Sequence, residues 1–194
     1  MHRLMRRLAE AMAIAGGIVL SFLILLTCAS IIGREANALL NGDVLQSMMP
    51  GLANAILATG IGPVNGDFEL VEAGVAFAIF AFIPLTQITA GHATVDIFTA
   101  RLGPRALRLL RAVIEIVFAA VLILIAVQLF GGMVSKRDHN EVTFLLQFPT
   151  WWSYAASLVA ASVAALCGVY MALVRLAELA TGRVIVADGP EADH

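Results

Sequence analysis

Polar positions in this chain are gathered into a few clusters, and between them run long stretches that are apolar on every face. Four such stretches stand out, at 11–32, 70–90, 112–134 and 152–174. A bilayer core of about 30 Å is crossed by about 20 residues of helix, and each stretch is that long. The first and fourth hold no charged residue; the second and third hold one each, Glu72 and Glu115, both in the first turn. Lipid offers backbone N–H and C=O groups no partners, so each stretch must satisfy them internally as a helix. The pattern predicts an all-α membrane protein of four transmembrane helices in one membrane domain spanning 1–194.

The connections are unequal. The first, 33–69, is long and contains apolar pieces too short to span: 36–40, 44–49 and 50–61, punctuated by Gly42, Pro50, Gly51, Gly60, Gly62, Pro63 and Gly66. It reads as an insertion of short amphipathic helices lying at the membrane surface or packed on a partner. The second connection reads as two helical pieces, with Gly103 ending one and Pro104 opening the next at its N1 position. Arg101, Arg105 and Arg108 share a face, beside the apolar Ile97, Phe98, Leu102, Leu107 and Leu110. Such an element lies in the interface, drawn to anionic lipid. Residues 187–194, with three acids and no periodicity, read as a disordered tail.

Composition and charge then set the surroundings. Of 194 residues 60% are hydrophobic and 13% charged, where a soluble domain has about 25% charged; the mean hydropathy is +0.91. The net charge of -2 gives no reason to expect nucleic acid. The first stretch has a basic flank, but at about 22 residues it exceeds a signal-peptide core of about 7–15 and reads as an uncleaved anchor. Nine of the twelve lysines and arginines fall in the N-terminus, the second connection and the C-terminal tail, which four spans place on one side. The positive-inside bias makes that side cytoplasmic. Trp151, Trp152 and Tyr154 then sit at the outer interface and Tyr170 near the inner one.

The missing chemistry is informative. His2, His92, His139 and His194 all lie outside the four stretches, so no axial haem ligand is placed inside a bundle. Cys28 and Cys167 are far apart in apolar surroundings and form no CxxC pair. No catalytic set, zinc-ligand spacing or phosphate-binding loop is present; no catalytic, cofactor-binding or metal residue is assigned. Intramembrane charges are functional by default, and the centres of these stretches hold none. Gln87 and Gln128 are expected to hydrogen-bond neighbouring helices, and Glu115 to snorkel or pair with Arg108 or Arg111. Ala156, Ala160, Ala164 and Gly168, with Gly17 and Ser21, offer close-packing faces, either within the bundle or for another subunit. Pro84 predicts a kink.

Several local patterns occur in a telling order. Span one ends in Gly33-Arg34; span two opens with Gly66-Asp67-Phe68-Glu69-Leu70-Val71-Glu72. Gly91-His92-Ala93-Thr94-Val95-Asp96-Ile97-Phe98 follows it, and span four opens through Phe148-Pro149-Thr150-Trp151-Trp152-Ser153-Tyr154. Over roughly residues 8 to 178 the chain resembles the small permease subunits of TRAP transporters, the tripartite ATP-independent periplasmic systems. It departs from their commonest pattern in its long first connection and in Phe68, where tryptophan is common. The resemblance implies a non-enzymatic subunit of the bacterial inner membrane that binds and stabilises a large permease subunit. The large subunit moves an organic acid with sodium, which it binds itself, and a periplasmic solute-binding protein delivers the solute. Arg34, Glu69, Glu72, His92, Asp96, Trp151 and Trp152 are the resulting structural or interface residues. Arg34 is expected to pair with Glu69 or Glu72, Asp96 to cap its element or pair with Arg101, and His92 to hydrogen-bond at the inner interface. The alternative classes are a self-contained four-helix redox protein and a small homo-oligomeric transporter.

Overall fold

The computed structural model describes residues 1–89, 103–182 and 185–186. Six helices account for most of them: α1 (His2–Asn41), α2 (Asp43–Met48), α3 (Pro50–Leu57), α4 (Asp67–Ile88), α5 (Pro104–Asp138) and α6 (Trp151–Thr181). Four of these, α1, α4, α5 and α6, are long and apolar enough to cross a membrane, as the apolar pattern predicts. Among the described residues there is no strand; an isolated antiparallel bridge joins Val142 to Pro149.

The helices overrun the apolar stretches. α1 has 40 residues, about 60 Å at 1.5 Å per residue, twice the bilayer core. Its first turns are polar and carry the Arg6–Glu10 pair at 2.8 Å, a helix-stabilising i,i+4 contact. At the other end the expected loop does not begin at Gly33. The helix continues to Asn41 because Glu35, Ala36, Ala38, Leu39 and Leu40 are helix formers, and together they outweigh the roughly 1 kcal/mol that glycine costs. α2 and α3 fall on two of the three apolar pieces of the insertion, and the first piece, 36–40, is absorbed into α1. α3 starts on Pro50, which takes the first helical position, after Met49 leaves the helical conformation (φ -143°, ψ 59°); proline is favoured there because its missing N–H would be unpaired anyway. Both fold back toward α1, where Ala53 and Leu40 are buried.

α5 begins at Pro104 behind Gly103, as the sequence predicts, but runs unbroken into the span. Arg105, Arg108 and Arg111 therefore occupy the first turns of one 35-residue helix and not a separate interfacial piece. The preceding piece, with Ile97, Phe98, Arg101 and Leu102, lies outside the described residues, as do 187–194. Helix α4 is continuous through Pro84, with the Thr86 hydroxyl donating to the Phe82 and Ile83 carbonyls.

The four long helices form an open row. α6 is central, flanked by α5 on one side and α4 on the other, and α1 packs mainly on α4. α6 buries Ala160, Ala161, Ala164, Ala165, Cys167, Gly168 and Met171, so all but Ala156 of its predicted small-residue stripe turns into the bundle. Facing it, α5 buries Ala112, Glu115, Ala119 and Leu122, spaced three, four and three apart as one face of a helix requires. Small residues let these backbones approach closely.

Candidate functional site

The polar groups of this apolar molecule collect at the two ends of the row. One end carries the 42–66 connection and the 139–150 hairpin; the other carries the start of α1 and the end of α6.

At the hairpin end, Ser30 is completely buried. Its hydroxyl donates to Asp67 at 2.5 Å and accepts the Val64 N–H at 3.2 Å. Arg34, one turn further along α1, reaches the same Asp67 oxygen at 3.7 Å. Arg34 thus pairs with Asp67 and not with Glu69 or Glu72. Asp67 opens α4, where the macrodipole favours a carboxylate, and its other oxygen accepts the Phe68 N–H at 2.8 Å. The Ser30 hydrogen bond, then the Phe68 amide and the Arg34 charge, hold this carboxyl below its usual range against the opposing effect of burial.

Glu69 reaches across to the hairpin, accepting the backbone N–H of Leu145 at 2.6 Å with one oxygen and that of Leu146 at 2.9 Å with the other. Partial desolvation raises its pKa, but these amides and the Thr143 hydroxyl outweigh it, leaving the carboxyl below its ordinary value. Gly66, at φ +78°, takes the left-handed turn into α4 directly under Leu146, where a β-carbon would collide; only glycine fits comfortably. Glu72 lies exposed on the next turn. Trp151 and Trp152 open α6 in an edge-to-face pair, centroids 6.2 Å apart, with Trp152 more than half exposed.

At the terminus end, Gln87 on α4 is fully buried and hydrogen-bonds Glu115 on α5. The expectation that Gln87 bonds a neighbouring helix holds. Glu115 does not snorkel; it is buried. Gln128 instead faces outward and is exposed. Further on, Arg175 and Glu178 form a buried pair at 2.8 Å, and Glu178 also accepts the N–H groups of Ile185 and Val186, folding the chain back onto α6. The Tyr170 hydroxyl lies 3.4 Å from His2. His92 and Asp96 lie outside the described residues. Sequence reasoning missed Ser30, Asp67 and Glu178 as anchors. The four-residue spacing of Ser30 and Arg34 was a usable signal for the first two, since it puts both on one face of α1.

Between the ends, α4 and α5 both pack on α6 but scarcely on each other. They leave a groove of about 270 Å³ on the hairpin half. Among the described residues no cluster of three or more His, Cys, Asp or Glu could hold a metal ion.

The outward faces differ in kind from the inward ones. On α1, Ile14, Gly17, Ile18, Ser21 and Leu25 share one side, all but Gly17 exposed. A β-carbon on Gly17 would meet nothing within 4 Å, and the Ser21 hydroxyl is turned back onto the Gly17 carbonyl at 2.8 Å. These features define a multi-pass helical membrane protein whose polar groups tie its own helices together and whose apolar helix faces are left uncovered.

The particular family follows from the sequence. Residues 23–181 match the model of the tripartite ATP-independent periplasmic transporters, DctQ component, and the chain belongs to this family of transporter membrane subunits, which is not an enzyme family. Neither a curated protein nor a solved structure matches it.

Proposed function

We propose that this chain is the small integral-membrane subunit of a TRAP-type secondary transporter, and that it binds and stabilises the large permease subunit. Its place is the bacterial inner membrane, with both termini and the terminus end of the row in the cytoplasm and the hairpin end in the periplasm. The large subunit binds sodium and carries an organic acid handed over by a periplasmic solute-binding protein.

The uncovered face of α1 carries this reading. Only 11% of the apolar stretch of α1 is buried, against 17% for α4 and for α5 and 56% for α6, so α1 is the least covered of the four. Gly17 and Ser21 form a small-xxx-small step flanked by Ile14, Ile18 and Leu25. That is the relief into which another transmembrane helix packs. The polar groups support the same reading. Gln87, Glu115, Asp67 and Glu69 are engaged in ties between elements of this chain, which leaves the transport chemistry to the partner.

A Gly17→Leu substitution fills the step at a position where an added β-carbon meets nothing within 4 Å. Uptake by membranes containing the whole system should fall with loss of the large subunit from the purified complex, while the isolated chain melts as before. Full uptake and an intact complex in Gly17→Leu would remove α1 as the binding face.

A further inference from the structure

We propose that the groove between α4 and α5 seats one phospholipid of the periplasmic leaflet that carries a primary ammonium in its head group. This inference is independent of which subunit the chain binds. The groove opens at the hairpin end beside Glu72 and runs along α4 past Ala76 to Phe80, backed by Tyr154 and Ser157 of α6. From Glu72 to Phe80 is eight residues, about 12 Å of helix, so it descends well into the leaflet.

Size and wall chemistry select the occupant. A helix is about 10–12 Å across with its side chains. A volume of 270 Å³, just under the ~300 Å³ at which small-molecule sites begin, admits one slender chain and no helix. Ala76, Phe80 and Leu129 make its lower part apolar, which suits an alkyl chain.

The head group is read from the charges at the mouth. Both oxygens of Glu69 are engaged by the Leu145 and Leu146 amides, and the Lys136 ammonium is engaged by Glu141 at 2.6 Å. Glu72 is exposed, and among the described residues no basic side chain pairs with it. The mouth therefore presents one available negative charge, which selects a cationic head.

Ser157 supplies the second, independent observation. It is 2% exposed, lines the groove, and its hydroxyl has no hydrogen-bond partner among the described residues. It lies six residues past Trp151, about 9 Å along α6 from its start. A buried hydroxyl needs a partner; an ester carbonyl supplies an acceptor there. A lysine or arginine of another protein would answer Glu72 but pass only its apolar stem by Ser157, leaving the hydroxyl unmet.

The test uses the full-length chain, with any subunit that accompanies it, delipidated in mild detergent. It is titrated with phosphatidylethanolamine and phosphatidylglycerol of the same acyl chains, and bound lipid is counted by native mass spectrometry. The wild type should hold one phosphatidylethanolamine about fivefold more tightly than phosphatidylglycerol, what one half-solvated ion pair supplies. Glu72→Gln, an exposed and conservative change, should level the two, and Ala76→Phe should lower the occupancy of both. Equal retention of the two lipids by the wild type, a preference that survives Glu72→Gln, or no one-to-one lipid at all would overturn the proposal. So would an unchanged lipid preference in Glu72→Gln accompanied by release of a bound protein, because the acid would then serve a partner's cation.

Discussion

Gly33→Ala separates packing from helix propensity, because the two predict opposite signs. Gly33 lies inside α1, where alanine is the better helix former by about 1 kcal/mol. But α1 crosses the 61–66 connection here. A β-carbon on Gly33 would be driven into the Gly62 carbonyl, and the neighbouring Pro63 nitrogen lies 3.5 Å away. Both are backbone, so no rotamer relieves the clash and the connection must move. That connection is held to α1 by the Val64 N–H on Ser30 at 3.2 Å and by the Asn37 amide on the Ile61 carbonyl at 2.8 Å. Overpacking costs about 1–3 kcal/mol and each hydrogen bond lost about 0.5–1.5 kcal/mol. Less the propensity gain, the net loss is about 1–5 kcal/mol, or roughly 2–20 °C in Tm for a chain of this size. The assay is thermal unfolding in mild detergent, followed by circular dichroism. The control is Gly17→Ala on the same helix, where nothing lies within 4 Å and stability should hold or rise slightly. A Gly33→Ala protein as stable as wild type would refute the close crossing.

Further outcomes follow from the ties at the two ends. Glu69→Ala should free the hairpin, speeding hydrogen exchange at the Leu145 and Leu146 amides while leaving exchange in the middle of α6 unchanged. Because the Glu69 carboxyl is depressed in the folded protein, its tie is fully present above the ordinary value of 4.5 and is lost as pH falls through the lower folded value; protection of the same two amides, relative to their intrinsic exchange at each pH, should fall only in that acid range. Gln87→Leu leaves buried Glu115 without one of its partners and should cost about 1–3 kcal/mol; Gln87→Leu with Glu115→Leu should recover part of that loss in the same melting assay. For the orientation, a cysteine at Thr59 should be labelled by an impermeant maleimide added outside intact cells, and one at Thr181 only after lysis.

The four long helices were legible because membrane spans are written as uninterrupted apolar runs, a signal independent of tertiary context. Their ends were not. Gly33 looks like a terminator, yet helix formers on both sides carry α1 past it, and Pro104 starts a helix that the arginines of its first turns do not break. The small residues of α6 were visible as packing faces, but the sequence does not distinguish inward from outward. The fold turns Ala160, Ala164 and Gly168 inward and leaves Gly17 and Ser21 outside. Partner choice among acids was the least legible. Asp67, Glu69 and Glu72 lie within six residues of one another, and only the turn at Gly66 decides that the first meets Arg34 and the second meets the hairpin. Ser157 was hidden entirely, since a serine among alanines carries no pattern of its own.

The central claim is that the bare faces of these helices exist to hold a permease that does the carrying. Purifying the chain from its native membranes in a mild detergent and weighing the intact particle tests this most directly. The account predicts one copy bound to one much larger membrane protein. A particle containing only this chain, which moves solute when reconstituted by itself, would contradict it.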